Sequence, residues 1–201
     1  MPDGMLRLAT WNVNSIRTRL GRVLDWLERA EVDVLAMQET KCSDEQFPTL
    51  PFFELGYEVA HCGFNQWNGV AIASRVGLEN VEVGFAGQPS WSSKPDVAAA
   101  AEARALAATC AGVRVWSLYV PNGRAIGDPH YTYKLNWLAA LRDTAEGWLR
   151  NDPSAQMSGT RRRMMADGKI RDPTRPHLRG KFRHKGCRVL NRHELASQPV
   201  R

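Results

Sequence analysis

Near the N-terminus two short apolar runs flank one amphipathic helix pattern, and this arrangement constrains the fold more than any other feature of the chain. Leu6 to Val13 (LRLATWNV) and Val32 to Met37 (VDVLAM) are short, nearly continuous apolar runs and read as buried strands. Between them Ile16, Leu20, Val23, Leu24 and Leu27 recur at helical spacing, with arginines and aspartate on the other face. Ser15 stands where a helix N-cap belongs, so the helix is expected over Ile16 to Ala30. Strand, helix and strand joined by minimal turns specify an α/β layering.

Further strands are expected at Tyr57 to His61, Gly69 to Ser74, Val81 to Phe85, Ala103 to Cys110 and Val113 to Val120. Ala111-Gly112 makes a tight hairpin turn between the last two. Gly87 to Ala101, with Pro89, Pro95 and an alanine run, reads as a surface loop. A second amphipathic helix spans about Tyr131 to Leu149, with Leu135, Leu138, Ala139, Ala145 and Trp148 facing inward. It ends at Asn151-Asp152-Pro153, where the pattern calls for another apolar strand and finds none.

The 201 residues carry a formal charge of +6, but that charge is unevenly placed. Up to Gln156 there are 14 Lys and Arg against 18 Asp and Glu; from Met157 onward there are 13 against 3. The basic excess therefore cannot be assigned to the folded part as a nucleic-acid signal. No run approaches the roughly 18 apolar residues of a membrane span, and the first residues lack the pattern of a signal peptide. Cys42, Cys62, Cys110 and Cys187 are scattered without a CxxC pair, which suits reduced thiols in a cytoplasm.

Four segments end or begin expected strands with polar groups: TWNVNSIR, with Asn12 and Asn14; MQETK, with Glu39 and Lys41; NQWNGVAIAS, with Asn65, Asn68 and Gly69; and SLYVPNGR, with Tyr119, Asn122 and Arg124. Taken singly each has a bland reading. Glu39 can be a strand-end carboxylate paired with Lys41, Tyr119 a core aromatic with a tethered hydroxyl, and Asn12 and Asn122 turn residues.

In combination, TWNVNSIR, MQETK, NGVAIASR and YVPNGR, in this order and at these separations, resemble the endonuclease/exonuclease/phosphatase superfamily. The Lys after Glu in MQETK and the SIR after WNVN are similar to its exonuclease III branch of apurinic/apyrimidinic endonucleases. The resemblance covers about Leu6 to Gln156. It implies a four-layered α/β sandwich (DNase I-like) with the site at the shared edge of two sheets. It implies Glu39 as principal Mg²⁺ ligand, Mn²⁺ being the alternative ion, and Asn12 as the residue that helps hold the metal. It implies Tyr119 and Asn122 as catalytic groups near the scissile phosphate, Arg17, Lys41, Asn68 and Arg124 as DNA contacts, and Gly69 as structural. The partner implied is double-stranded DNA with abasic sites or 3′ ends, with no membrane, in the cytoplasm; oligomeric state stays open.

The chain departs from this family after Gln156, where a GDxN segment and later an SDH segment are due and neither occurs. Residues 1–156 are thus expected to be a truncated domain and 157–201 a basic, disordered tail, since the latter has composition without periodicity. Three readings of the tail stand: a nucleic-acid arm using Arg161 to Arg163 and Lys181 to Arg188, a zinc site drawing on His184, Cys187 and His193, and an out-of-frame translation. Two functions stand with them, a nuclease of the exonuclease III type and a catalytically inactive truncated or frameshifted fragment, either inert or binding DNA through its basic tail.

Overall fold

The computed structural model describes residues 6–151 and two dipeptides beyond them, Gly159–Thr160 and Val189–Leu190. The elements are β1 (Leu8–Asn12), α1 (Ile16–Ala30), β2 (Val34–Gln38), α2 (Thr49–Glu54), β3 (Glu58–Cys62), β4 (Val70–Ser74), β5 (Glu79–Val83), β6 (Ala105–Cys110), β7 (Val113–Tyr119), α3 (Pro129–Asn151), β8 (Gly159–Thr160) and β9 (Val189–Leu190); all but α2, β8 and β9 follow the apolar pattern. The tail reading, its basic arm and its zinc candidates otherwise lie outside the described residues.

Two sheets form. One runs β1-β2-β4-β3-β9 and the other β5-β6-β7-β8. Strand β1 lies parallel to β2, because α1 carries the chain back between them, and β4 is antiparallel to both β2 and β3. In the β6–β7 hairpin Ala111 and Gly112 both take positive φ, the turn that matches strand twist.

Side-chain alternation along these strands builds three separate apolar layers. Ala9, Leu35, Met37, Val59, Ala71 and Ala73 face outward from the first sheet onto Ile16, Val23 and Leu27 of α1 and Phe52 of α2. Val34, Ala60, Val70 and Ile72 point the other way and meet Leu106, Ala108 and Val115 of the second sheet. Ala105, Ala107, Trp116 and Leu118 on the far face of that sheet hold Tyr133, Trp137, Leu141 and Ala145 of α3. Three apolar interfaces make four layers, helix, sheet, sheet and helix, as the resemblance implies.

Two local expectations need correction, and one short segment was not anticipated. Ser15 does not cap α1 through its side chain: its φ is 86° and its hydroxyl lies 3.1 Å from that of Thr18. The first helical amides are satisfied from the turn after β2 instead, Ser15 N donating to Glu39 O and Ile16 N to Thr40 O. Leu135 does not face inward; it is 48% exposed, and the buried stripe is Tyr133, Trp137, Leu141 and Ala145 at spacing four. The two aromatic rings decide the helix's rotation, since they fill the space against Trp116 and Phe85 that a leucine could not. The segment between β2 and β3 forms a 3₁₀ turn at Asp44–Gln46 and the short α2, which no apolar period announces. The loop after β5 does lie on the surface; its Trp91 bridges to Ala100 and stacks 5.1 Å from the Tyr133 ring.

A candidate active site at the shared sheet edge

The two sheets are registered by a buried polar contact beside this edge. Gln38, the last residue of β2 and fully buried, donates from Nε2 to the Ser117 hydroxyl of β7 at 3.0 Å. Ser117 in turn donates to the Met37 carbonyl at 2.6 Å. Buried amide and hydroxyl groups are costly unless partnered, so this contact specifies one alignment of the sheets. Glu39 follows Gln38 and Tyr119 closes β7 two residues after Ser117, so both emerge at the same edge.

Glu39 is only 2% exposed. Its Oε1 accepts from Asn12 Nδ2 at 2.7 Å, and its Oε2 lies 3.0 Å from Lys41 Nζ. Lys41 also donates to the Asn14 side-chain oxygen, and Asn12 Oδ1 accepts the Asn14 amide at 3.1 Å. The Glu39 carboxylate is thus oriented by an amide and an ammonium donor rather than by bulk water.

Beside it lies a second polar group. Asn68 Nδ2 donates to Glu102 Oε1 at 2.8 Å, and Glu102 Oε2 accepts from Arg104 Nε at 2.6 Å. Arg104 is 4% exposed, and its guanidinium lies 4.8 Å from the Tyr119 ring centroid. Burial raises the Glu102 pKa, but the hydrogen bonds and charge of Arg104 outweigh it and hold that carboxyl below its ordinary range. Burial and the Glu102 charge push the nearby Tyr133 hydroxyl up, and burial with the Arg104 and Arg124 charges pulls His130 down. The backbone joins the two groups: Lys41 N donates to Asn68 O and Thr40 N to Gly69 O.

Of the residues singled out in the sequence, the fold gathers Asn12, Glu39 and Lys41 directly and sets Asn68 and Tyr119 beside them. Asn122 is exposed, with its side-chain oxygen turned to the Arg124 amide at 3.1 Å. Arg124 is exposed and 3.8 Å from Asp128. Arg17 is exposed on the first turn of α1. Asn14, Glu102 and Arg104 were not assigned roles from sequence. A charged residue at the start of the apolar run ARALAATC was the available signal for Arg104. Among the described residues no three His, Cys, Asp or Glu side chains gather into a metal-binding group.

Comparison with known proteins agrees with this architecture. Exodeoxyribonuclease III of Haemophilus influenzae is 31% identical over 80 residues, which cover 40% of this chain and 30% of that protein. The structure of the 3′ phosphatase NExo from Neisseria, bound to a product DNA hairpin, superposes with a TM-score of 0.68 at 32% identity, over 77% of this chain and 57% of that one. An AP endonuclease from Archaeoglobus fulgidus superposes with a TM-score of 0.64 at 39% identity, over 77% and 56%. The chain thus spans a little over half the length of the solved structures it matches. The sequence profile of the Endonuclease/Exonuclease/phosphatase family matches residues 9–198. With its two-sheet sandwich and the order of its edge motifs, the chain belongs to the endonuclease/exonuclease/phosphatase family.

Proposed function

We propose that this chain carries the site of an exonuclease III-type DNA-repair nuclease, which hydrolyses phosphodiester bonds at abasic sites and 3′ ends of double-stranded DNA with Mg²⁺. The observation that carries the reading is Glu39: a carboxylate 2% exposed, oriented by Asn12 at the edge where Tyr119 also emerges. Mg²⁺ takes one or two carboxylates and keeps several waters, so a donor set built on the Glu39 carboxylate fits it. Glu39 would hold the ion, with Asn12 fixing the carboxylate's rotation; when bound, the ion supplies neutralising charge at the phosphate. Mn²⁺ would substitute for it.

The chain's own groups do the rest in this reading. Tyr119 and Asn122 offer donors to the oxygens of the phosphate as an in-line water attacks and charge grows on them. Arg104, packed on the Tyr119 ring, limits where that ring can go. Lys41, Asn68, Arg17 and Arg124 contact the DNA backbone, where charge and amide donors position a duplex without reading its sequence. The product would be a nick 5′ to the abasic sugar, or mononucleotides from a 3′ end. We assign this work to residues 1–156 and read 157–201 as a basic tail, of which Gly159–Thr160 pairs with β7 and Val189–Leu190 with β3. Among the described residues no helix is long and apolar enough to cross a membrane, and we place the protein in the cytoplasm.

The test is nicking of a duplex with one abasic site under excess protein. EDTA-sensitive nicking that Glu39→Ala abolishes is expected. Nicking that survives both EDTA and Glu39→Ala would sink the reading.

A further inference from the structure

The turn that presents Glu39 is strained, and something must hold it. Glu39 and Lys41 both sit at φ 54°, a left-handed conformation that costs a non-glycine residue of order 1 kcal/mol or more. Such conformations persist only where surrounding contacts over-determine them. Backbone bonds from Ser15, Ile16, Asn68 and Gly69 supply part of that support.

The remainder is a buried side-chain chain that the proposed chemistry does not use. Thr40, fully buried between the two strained residues, has its Oγ1 2.8 Å from His61 Nε2. The other ring nitrogen, Nδ1, lies 2.7 Å from Asp44 Oδ1. The Nδ1 contact with Asp44 is close but not aligned as a hydrogen bond; with the proton on Nδ1 opposite the carboxylate, the Nε2 lone pair of a neutral ring receives the Thr40 hydroxyl. Burial lowers the His61 pKa despite Asp44, which favours this neutral ring. Asp44 is itself fixed, accepting the Gly63 amide at 2.8 Å, and Phe47 packs 4.4 Å from the imidazole.

Two glycines bear the imprint of this chain. A Cβ on Gly69 would stand 2.1 Å from Thr40 Oγ1, and one on Gly63 would stand 2.6 Å from His61 Cε1 and 2.2 Å from the Cys42 carbonyl oxygen. Both sides of the threonine–histidine contact are therefore packed against glycine backbone, with no room for a Cβ at either position.

We propose that His61, oriented by Asp44, is a positioning residue for the site: through the Thr40 hydroxyl it locks the Glu39–Thr40–Lys41 turn and so fixes where the Glu39 carboxylate points. The proposal rests on the reading of Glu39 as metal ligand for its consequence, but the lock itself is testable without any metal. Supporting partners of a ligating side chain typically set metal affinity by about 10- to 100-fold.

The experiment compares the full chain with Thr40→Val, which keeps shape and removes the hydroxyl, and with His61→Gln. Hydrogen exchange of the Thr40 and Lys41 amides is read first, then Mn²⁺ affinity. Both variants should speed exchange at these two amides by about tenfold or more, with β4 and β6 amides unchanged, and weaken Mn²⁺ by about tenfold. Unchanged exchange at Thr40 and Lys41 in a folded Thr40→Val chain would overturn the proposal, and so would acceleration spread evenly over the sheet. Faster exchange in a chain whose Mn²⁺ binding also ignores Glu39→Gln would leave the lock standing and remove the metal reading alone.

Discussion

Buried ionisable side chains are concentrated at one edge of this molecule, and their environments predict how it responds to acid. His61 and His130 both have pKa values lowered from 6.5, in each case chiefly by burial. A native pKa below the unfolded one means the unfolded chain binds the extra proton first, so stability is full above about pH 6.5 and declines as pH falls through the native values. Glu102, whose pKa is lowered from 4.5, contributes stability in the same direction but in a lower window, lost on acidification below about pH 4.5. Urea unfolding at intervals from pH 8 to 5 should therefore show a decline setting in near pH 6.5, and His61→Gln should flatten it. An identical slope in that variant would show that His61 titrates alike in both states. The four edge motifs were legible in the sequence because each is a local string. The His61–Thr40 contact was not, because it joins positions 21 apart across two strands and neither residue type announces it.

Elements were easier to read than their rotations. Apolar runs mark buried strands because sheets covered on both faces have no polar side to reveal, and these strands lie between layers on both sides. For α3 the period gave a helix and much of its inner face, since Leu138, Ala145 and Trp148 do pack on the second sheet, but Leu135 was weighted as core whereas Tyr133 and Trp137 fill the groove. Side-chain volume set by the facing strand, which includes Trp116, decided the matter and is not a local property. The consequence is measurable. Trp137→Ala should cost about 3–5 kcal/mol, the range for emptying a buried aromatic site, while Leu135→Ala should change stability by less than about 0.5 kcal/mol, as exposed substitutions do. Equal losses from the two, followed by denaturant unfolding, would mean that α3 sits rotated from the arrangement described. Helix α2 escaped notice because six residues are too few to show a period.

At the scale of the whole molecule the first sheet edge is assembled and charged, yet two motifs that the exonuclease III resemblance implies do not occur in these 201 residues. In that resemblance GDxN supplies the group that activates water and SDH the histidine that meets the phosphate. General-base help is typically worth about 10²–10⁴-fold and a preorganised donor about 10²–10³-fold. Such losses do not multiply simply, so nicking of an abasic duplex by the 201-residue polypeptide should run on the order of 10⁴-fold slower than by the Archaeoglobus fulgidus enzyme. A rate within tenfold of that enzyme would show that other residues of the chain take these roles. The fold itself was legible at this scale because three apolar interfaces demand four layers; the sheets' mutual register was not, because the polar contacts that specify it, from Ser117 to Gln38 and to the Met37 carbonyl, join residues about 80 positions apart.

The account centres on Glu39 as the carboxylate that holds a divalent ion, and Mn²⁺ titration followed by electron paramagnetic resonance tests that most directly. The native chain should bind Mn²⁺ weakly, in keeping with one carboxylate and a largely hydrated ion. Glu39→Gln, which retains the side-chain oxygen facing Asn12 and leaves Lys41 in place, should lose at least tenfold in affinity while keeping its far-ultraviolet circular dichroism. Equal Mn²⁺ binding by the two proteins would contradict the account, because the ion would then be held without the carboxylate that Asn12 and Lys41 orient.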